Sequence, residues 1–110
     1  MKQYVIDELR PEDHIALTKY LDEEFGSTAM DEIYWIPVDS DLLTRIQRQH
    51  EDCRPHYLAL DLEPDRLACE LLVRTKTRMR CDCIQYATEQ QRNWLIELID
   101  TIFDRLGIAS

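Results

Sequence analysis

The feature that most constrains this chain is a period-two alternation of apolar residues between Tyr57 and Ala87. Leu58, Leu60 and Leu62, then Leu67, Cys69, Leu71 and Val73, then Met79, Cys81 and Cys83 each keep one parity within a short segment. Alternation of this kind marks strands with one buried face. The region therefore reads as three consecutive antiparallel strands, with three of the four cysteines turned toward the core. The first hairpin turns at Pro64 and Asp65. A two-residue loop there opposes Glu63 to Arg66 and sets Leu62, Leu60 and Leu58 against Leu67, Cys69 and Leu71. A loop one residue longer would oppose Leu60 to Glu70 and turn an apolar set to solvent. The second hairpin turns within Thr75 to Arg78, where no glycine selects a turn type. Centred on Lys76 it opposes Leu71 to Cys81 and Cys69 to Cys83, and centred on Thr77 it shifts each partner by two, so both registers keep the thiols inward.

Helical spacing flanks this meander. A short opening strand at Tyr4 to Ile6 is followed by Pro11, suited to a first helical position, with Glu12 and Asp13 complementing the positive helix start. Leu17, Leu21 and Phe25 recur every four residues before the stop at Gly26. Ile33 to Ile36 form an edge strand ended by Pro37. Asp39 or Ser40 caps a second helix with Leu42, Leu43, Ile46 and His50 on its inner side, and Pro55 keeps it from running into the next strand. Thr88 and Gln91 make a capping box for a last helix reaching Leu106, with Gly107 as its stop. The expected fold is α+β: an antiparallel β-meander of three to five strands with about three helices packed mainly on one face. Its order is β-α-β-α-β-β-β-α, and residues 1–110 form a single globular domain.

With 110 residues, such a domain buries about two-thirds of its unfolded surface without needing covalent staples. No basic start with an apolar run marks a secretory signal, and no segment approaches the roughly 20 apolar residues of a membrane span. A cytoplasmic location with reduced thiols is expected. The net charge of -9 is concentrated in residues 1–52, with 13 acids against 5 bases, whereas residues 53–110 carry 9 against 8. This excess disfavours nucleic acid and membrane surfaces as partners. The local exception is Arg74, Lys76, Arg78 and Arg80, which read as a solvated hairpin tip or a contact for an anionic or acidic partner.

Metal binding has the sharpest chemical signal. His50, Cys53 and His56 form H-x2-C-x2-H, and Cys81, Cys83 and Cys69 offer further thiolates for a zinc tetrahedron. Against it, zinc ligands usually sit in loop knuckles, whereas C-x-C in a strand turns both thiols inward, where cysteine packs as a small hydrophobe. The reading from parity is therefore no metal and no cofactor, with zinc as the alternative. No nucleophile elbow, calcium loop or glycine-rich phosphate loop is present. An enzyme with a cleft holding an anion on Arg74 or Arg80 ranks third. The leading expectation is a non-enzymatic interaction or adaptor domain that binds protein, possibly a second copy of itself as a homodimer. Tyr34 and Trp35, with Trp94, Ile96 and Phe103 on the broad apolar arc of the last helix, are its candidate contacts.

Overall fold

The computed structural model describes residues 2–26, 33–77 and 80–108. Within them the chain is an α+β fold whose helices pack on one side of a six-stranded antiparallel sheet. The central strand is β3 (His56–Glu63). On one side it pairs with β2 (Ile33–Pro37). On the other it pairs first with β4 (Arg66–Glu70) and then with β5 (Leu72–Thr75), which continue one another along its length. Outside them lie β1 (Gln3–Ile6) against β4 and β6 (Gln85–Tyr86) against β5.

The first hairpin has the register expected from parity: Glu63 opposes Arg66, Leu62 opposes Leu67 and Leu60 opposes Cys69. The pairing of Leu58 with Leu71 does not follow. From Leu60 to Tyr57 the central strand advances three residues, while its partner advances five, from Cys69 to Arg74. Two extra residues are accommodated around Leu71, whose N–H donates to the Lys2 carbonyl and whose carbonyl accepts from Ala87. An even insertion preserves side-chain phase. Val73 and Thr75 therefore stay buried, as Leu67 and Cys69 are.

Among the described residues no third long strand runs through Cys81 and Cys83, and Met79 lies outside them. β6 covers only Gln85 and Tyr86, and it pairs Tyr86 with Leu72 and Gln85 with Val73. Neither expected register of the second hairpin is therefore formed. Cys81 and Cys83 lie in the connection, where the Ile84 N–H donates to the Cys81 carbonyl at 3.0 Å and closes a tight turn.

The core is built on the even face of β3. Leu58, Leu60 and Leu62 are covered by Leu17 and Leu21 of α1 (Pro11–Phe25) and Leu95, Ile99, Ile102 and Phe103 of α3 (Glu89–Leu106) in one buried cluster. Full burial of each such side chain contributes about 1.5–3 kcal/mol. Trp94, Leu98 and Leu106 are partly buried flanks of the same core. The broad arc of α3 is thus a buried stripe with half-covered margins. Both long helices start and stop as the sequence indicates, at Pro11 and Gly26 and at Thr88 and Gly107.

The second helix is shorter than expected. Asp39 caps only a 3-10 turn, Ser40–Leu42, and the chain is extended at Leu43. α2 (Arg45–Gln49) begins afresh after Thr44. This break resets the helical phase, so Leu43 is buried while Ile46 points outward and is exposed. A second 3-10 turn, Glu51–Cys53, then leads into β3.

Candidate metal centre

Two short turns converge beside the β5–β6 connection. In the first, the Cys53 N–H donates to the His50 carbonyl at 3.0 Å, so the H-x2-C segment wraps its imidazole and thiol to one side. In the second, the turn closed between Cys81 and Ile84 presents both thiols of C-D-C to the same point. One ligand atom from each of His50, Cys53, Cys81 and Cys83 lies within 4.8 Å of all the others. Cys53 and Cys83 are buried, whereas Cys81 and His50 are half-buried.

The spacing suits a small tetrahedral ion. With zinc–sulfur bonds of about 2.3 Å, the edge between two thiolates of a tetrahedron is about 3.8 Å. Cys53 Sγ and Cys81 Sγ are 3.8 Å apart. His50 Nδ1 lies 2.9 Å from Cys81 Sγ, a hydrogen-bond distance. An edge between nitrogen and sulfur ligands is about 3.5 Å, so seating an ion would open this contact by roughly half an ångström.

Electrostatics within the cluster favour a thiolate at Cys81. The Cys83 backbone N–H and thiol, and then His50 and Cys53, hydrogen-bond to it and bring its pKa down to about 7. The Cys83 thiol, buried and donating to its neighbours, is pushed up to about 12. A thiol at Cys81 that ionises readily thus stands beside a Cys83 thiol that keeps its proton, and a soft divalent cation can displace that proton. Glu51 and Asp52 line the adjoining open cleft of about 390 Å³, together with Gln49, His50, Cys53 and Cys81.

A buried glutamine relay holds the two turns together. Thr44 and Gln47 form a reciprocal capping box at the start of α2, and Thr88 and Gln91 form another at the start of α3. Gln91 Nε2 donates to Gln47 Oε1 at 3.0 Å and to the Leu42 carbonyl at 2.9 Å. Gln47 Nε2 in turn donates to the Cys83 carbonyl at 3.2 Å. Both glutamines are fully buried, so each bond also satisfies a group that would otherwise be stranded away from water. Arg48 and Arg54 brace the same segment from outside: Arg48 donates to the Leu43 and Asp41 carbonyls, and Arg54 to that of Arg48.

Four of the six alternative metal residues are therefore brought together and two are not. Cys69 is a core thiol whose pKa burial pushes up to about 12, as the strand parity implies. His56 is buried on the inner face of β3, outside the cluster. Parity does not hold for Cys81 and Cys83, which leave the sheet for a turn.

The remaining site candidates are dispersed. Tyr34 is buried and its hydroxyl donates to Asp22 at 2.7 Å, and Phe103 is buried under α3. Trp35 is half-buried on the side of the sheet away from α1 and α3, edge-on to Tyr57 with ring centroids 6.0 Å apart. Trp94 and Ile96 are half-buried. Of the basic run, Arg74 pairs with Glu70, Lys76 lies over the Tyr57 and Trp35 rings, Arg80 is exposed, and Arg78 lies outside the described residues.

No family model, curated protein or solved structure matches this chain. Sequence reasoning missed the Gln47–Gln91 relay, although Thr44-x2-Gln47 repeats the capping signature of Thr88-x2-Gln91 and was available as a signal. Among the described residues no helix is long and apolar enough to cross a membrane.

Proposed function

We propose that the protein is a small zinc-binding domain in which His50, Cys53, Cys81 and Cys83 hold one ion in a structural, four-ligand site. The convergence of these donors within 4.8 Å, from two turns about thirty positions apart, carries the reading. Three thiolates and an imidazole are a zinc-type donor set, and four protein ligands fill its preferred coordination. The role this supports is mechanical: the ion would clip the β5–β6 connection to the α2 turn and so fix the shape of that end of the molecule. Metal analysis of protein purified without chelator tests it. About one equivalent of zinc is expected, and Cys83→Ser should abolish it. Cobalt substitution should give thiolate charge-transfer and tetrahedral ligand-field bands. A metal-free protein that gives no such spectrum on cobalt addition would refute the site.

An accompanying role in protein recognition is favoured by the sheet face that α1 and α3 leave free, where, among the described residues, Trp35 and Tyr57 stand together and Val5 and Tyr86 are exposed. Large aromatics of this kind anchor protein interfaces. Sedimentation of the zinc-loaded protein, compared with Trp35→Ala, tests whether a second copy uses this face.

A further inference from the structure

We infer that the cluster is also an oxidant-sensitive clasp, in which Cys81 is the thiol that meets peroxide and Cys53 closes a disulfide onto it. The inference rests on the metal reading only for its consequence, release of the ion. The disulfide itself follows from where the four side chains stand.

Access singles out Cys81. Cys53 and Cys83 are buried, while Cys81 is part-exposed and lines the open cleft beside Glu51 and Asp52. A small oxidant arriving through that cleft meets the Cys81 sulfur first.

Geometry then singles out Cys53 as the second thiol. Its sulfur is 3.8 Å from that of Cys81, so rotation about the side-chain bonds can bring them to bonding distance of about 2.05 Å. Cys83 is poorly placed for the same task. It shares a tight turn with Cys81, its backbone N–H is directed at the Cys81 sulfur, and its carbonyl is pinned by Gln47. A link between residues two apart in that turn would displace the Cys83 N–H from the Cys81 sulfur.

The chemistry balances with peroxide as the oxidant. The Cys81 thiolate attacks the O–O bond, forms an S–O bond as a sulfenic acid and expels hydroxide, which is protonated to water. The Cys53 thiolate then attacks the Cys81 sulfur, forms the S–S bond and expels the second oxygen, again protonated to water. Two thiolates lose two electrons, and one peroxide gains them. An ion in the cluster is left with His50 and Cys83 alone, half its ligands, and departs. Thiol reduction reverses the change.

The test uses the full chain. Zinc-loaded protein is exposed to equimolar hydrogen peroxide, alkylated and mapped by mass spectrometry, while a chromophoric chelator records free zinc. The expected result is one Cys53–Cys81 linkage per zinc released, an intact mass lower by two hydrogen atoms, and recovery of both changes with dithiothreitol and zinc. Cys53→Ser should instead accumulate a sulfenic acid at Cys81 that dimedone traps. Cys83→Ser, which removes a ligand and leaves both reacting thiols, should still form the linkage. A Cys81–Cys83 linkage, or zinc loss with no linkage, would overturn the inference. Should the protein bind no metal at all, the reading of the previous section falls, yet the Cys53–Cys81 linkage is still required here. Its absence would dispose of the clasp separately.

Discussion

His56 lies at the start of β3 with 1% of its surface exposed, and neither ring nitrogen has a hydrogen-bonding partner among the described residues. Burial, and then the nearby positive charge of Arg54 and the neighbouring His50, hold its pKa below the usual 6.5. The folded protein therefore keeps this imidazole neutral where an unfolded chain would take up a proton. Its contribution is intact above pH 6.5 and is lost as pH falls from there toward the depressed folded value. His56→Leu should raise stability by about 1 kcal/mol at neutral pH, because a stranded polar group is replaced by an apolar one. The gain should widen at pH 5.5. Denaturant unfolding of both proteins at the two pH values checks this. The thiolate–imidazole cluster is common to both, so its own proton dependence cancels in the difference. An unchanged gap would mean that His56 takes up its proton in the folded protein as readily as in the unfolded chain.

The elements divide by how far local chemistry specifies them. The β3–β4 hairpin was legible because Pro64 and Asp65 mark a single turn and leucine parity leaves one register. α1 and α3 were legible from their spacing and from proline, threonine and glycine at their ends. The second hairpin was not. Met79, Cys81 and Cys83 alternate as a strand would, but three residues are too few to separate a strand from a turn, and no glycine marks the reversal. That misreading hid the candidate centre, since the case against metal depended on both thiols pointing into a sheet. The relay through Gln47 is the element that decides the outcome locally. Gln47→Leu removes the acceptor for Thr44 N–H and Gln91 and the donor to the Cys83 carbonyl, all largely shielded from water. It should destabilise the fold by about 2–4 kcal/mol, from several stranded groups at about 1–3 kcal/mol each. Gln47→Glu keeps the acceptor and loses the donor. It should weaken zinc binding, measured by competition with a chelator, more than it lowers the melting temperature.

For the whole molecule, the hydrophobic core and the candidate centre occupy different places. The buried leucines and isoleucines of β3, α1 and α3 form a continuous cluster that includes none of the four ligands. Chelation should therefore lower the melting temperature without unfolding the sheet. Hydrogen exchange on chelator-treated protein should accelerate in residues 44–54 and 80–84 and stay unchanged in β3 and α3. Global loss of protection would show instead that the core depends on the metal. The charge distribution fits this division, because Glu51 and Asp52 place acids beside the opening through which a cation would enter.

The two additional residues around Leu71 make the strand pairing sensitive to the arithmetic of editing. Removing one amino acid from the segment 70–72 would turn Val73 and Thr75 outward and turn Arg74 to the interior, so the product should fail to accumulate in cells. Removing two should leave every later side chain on its present face, merely straightening the ribbon, and that shorter protein should be recovered folded. Length variation at this point is therefore expected in steps of two.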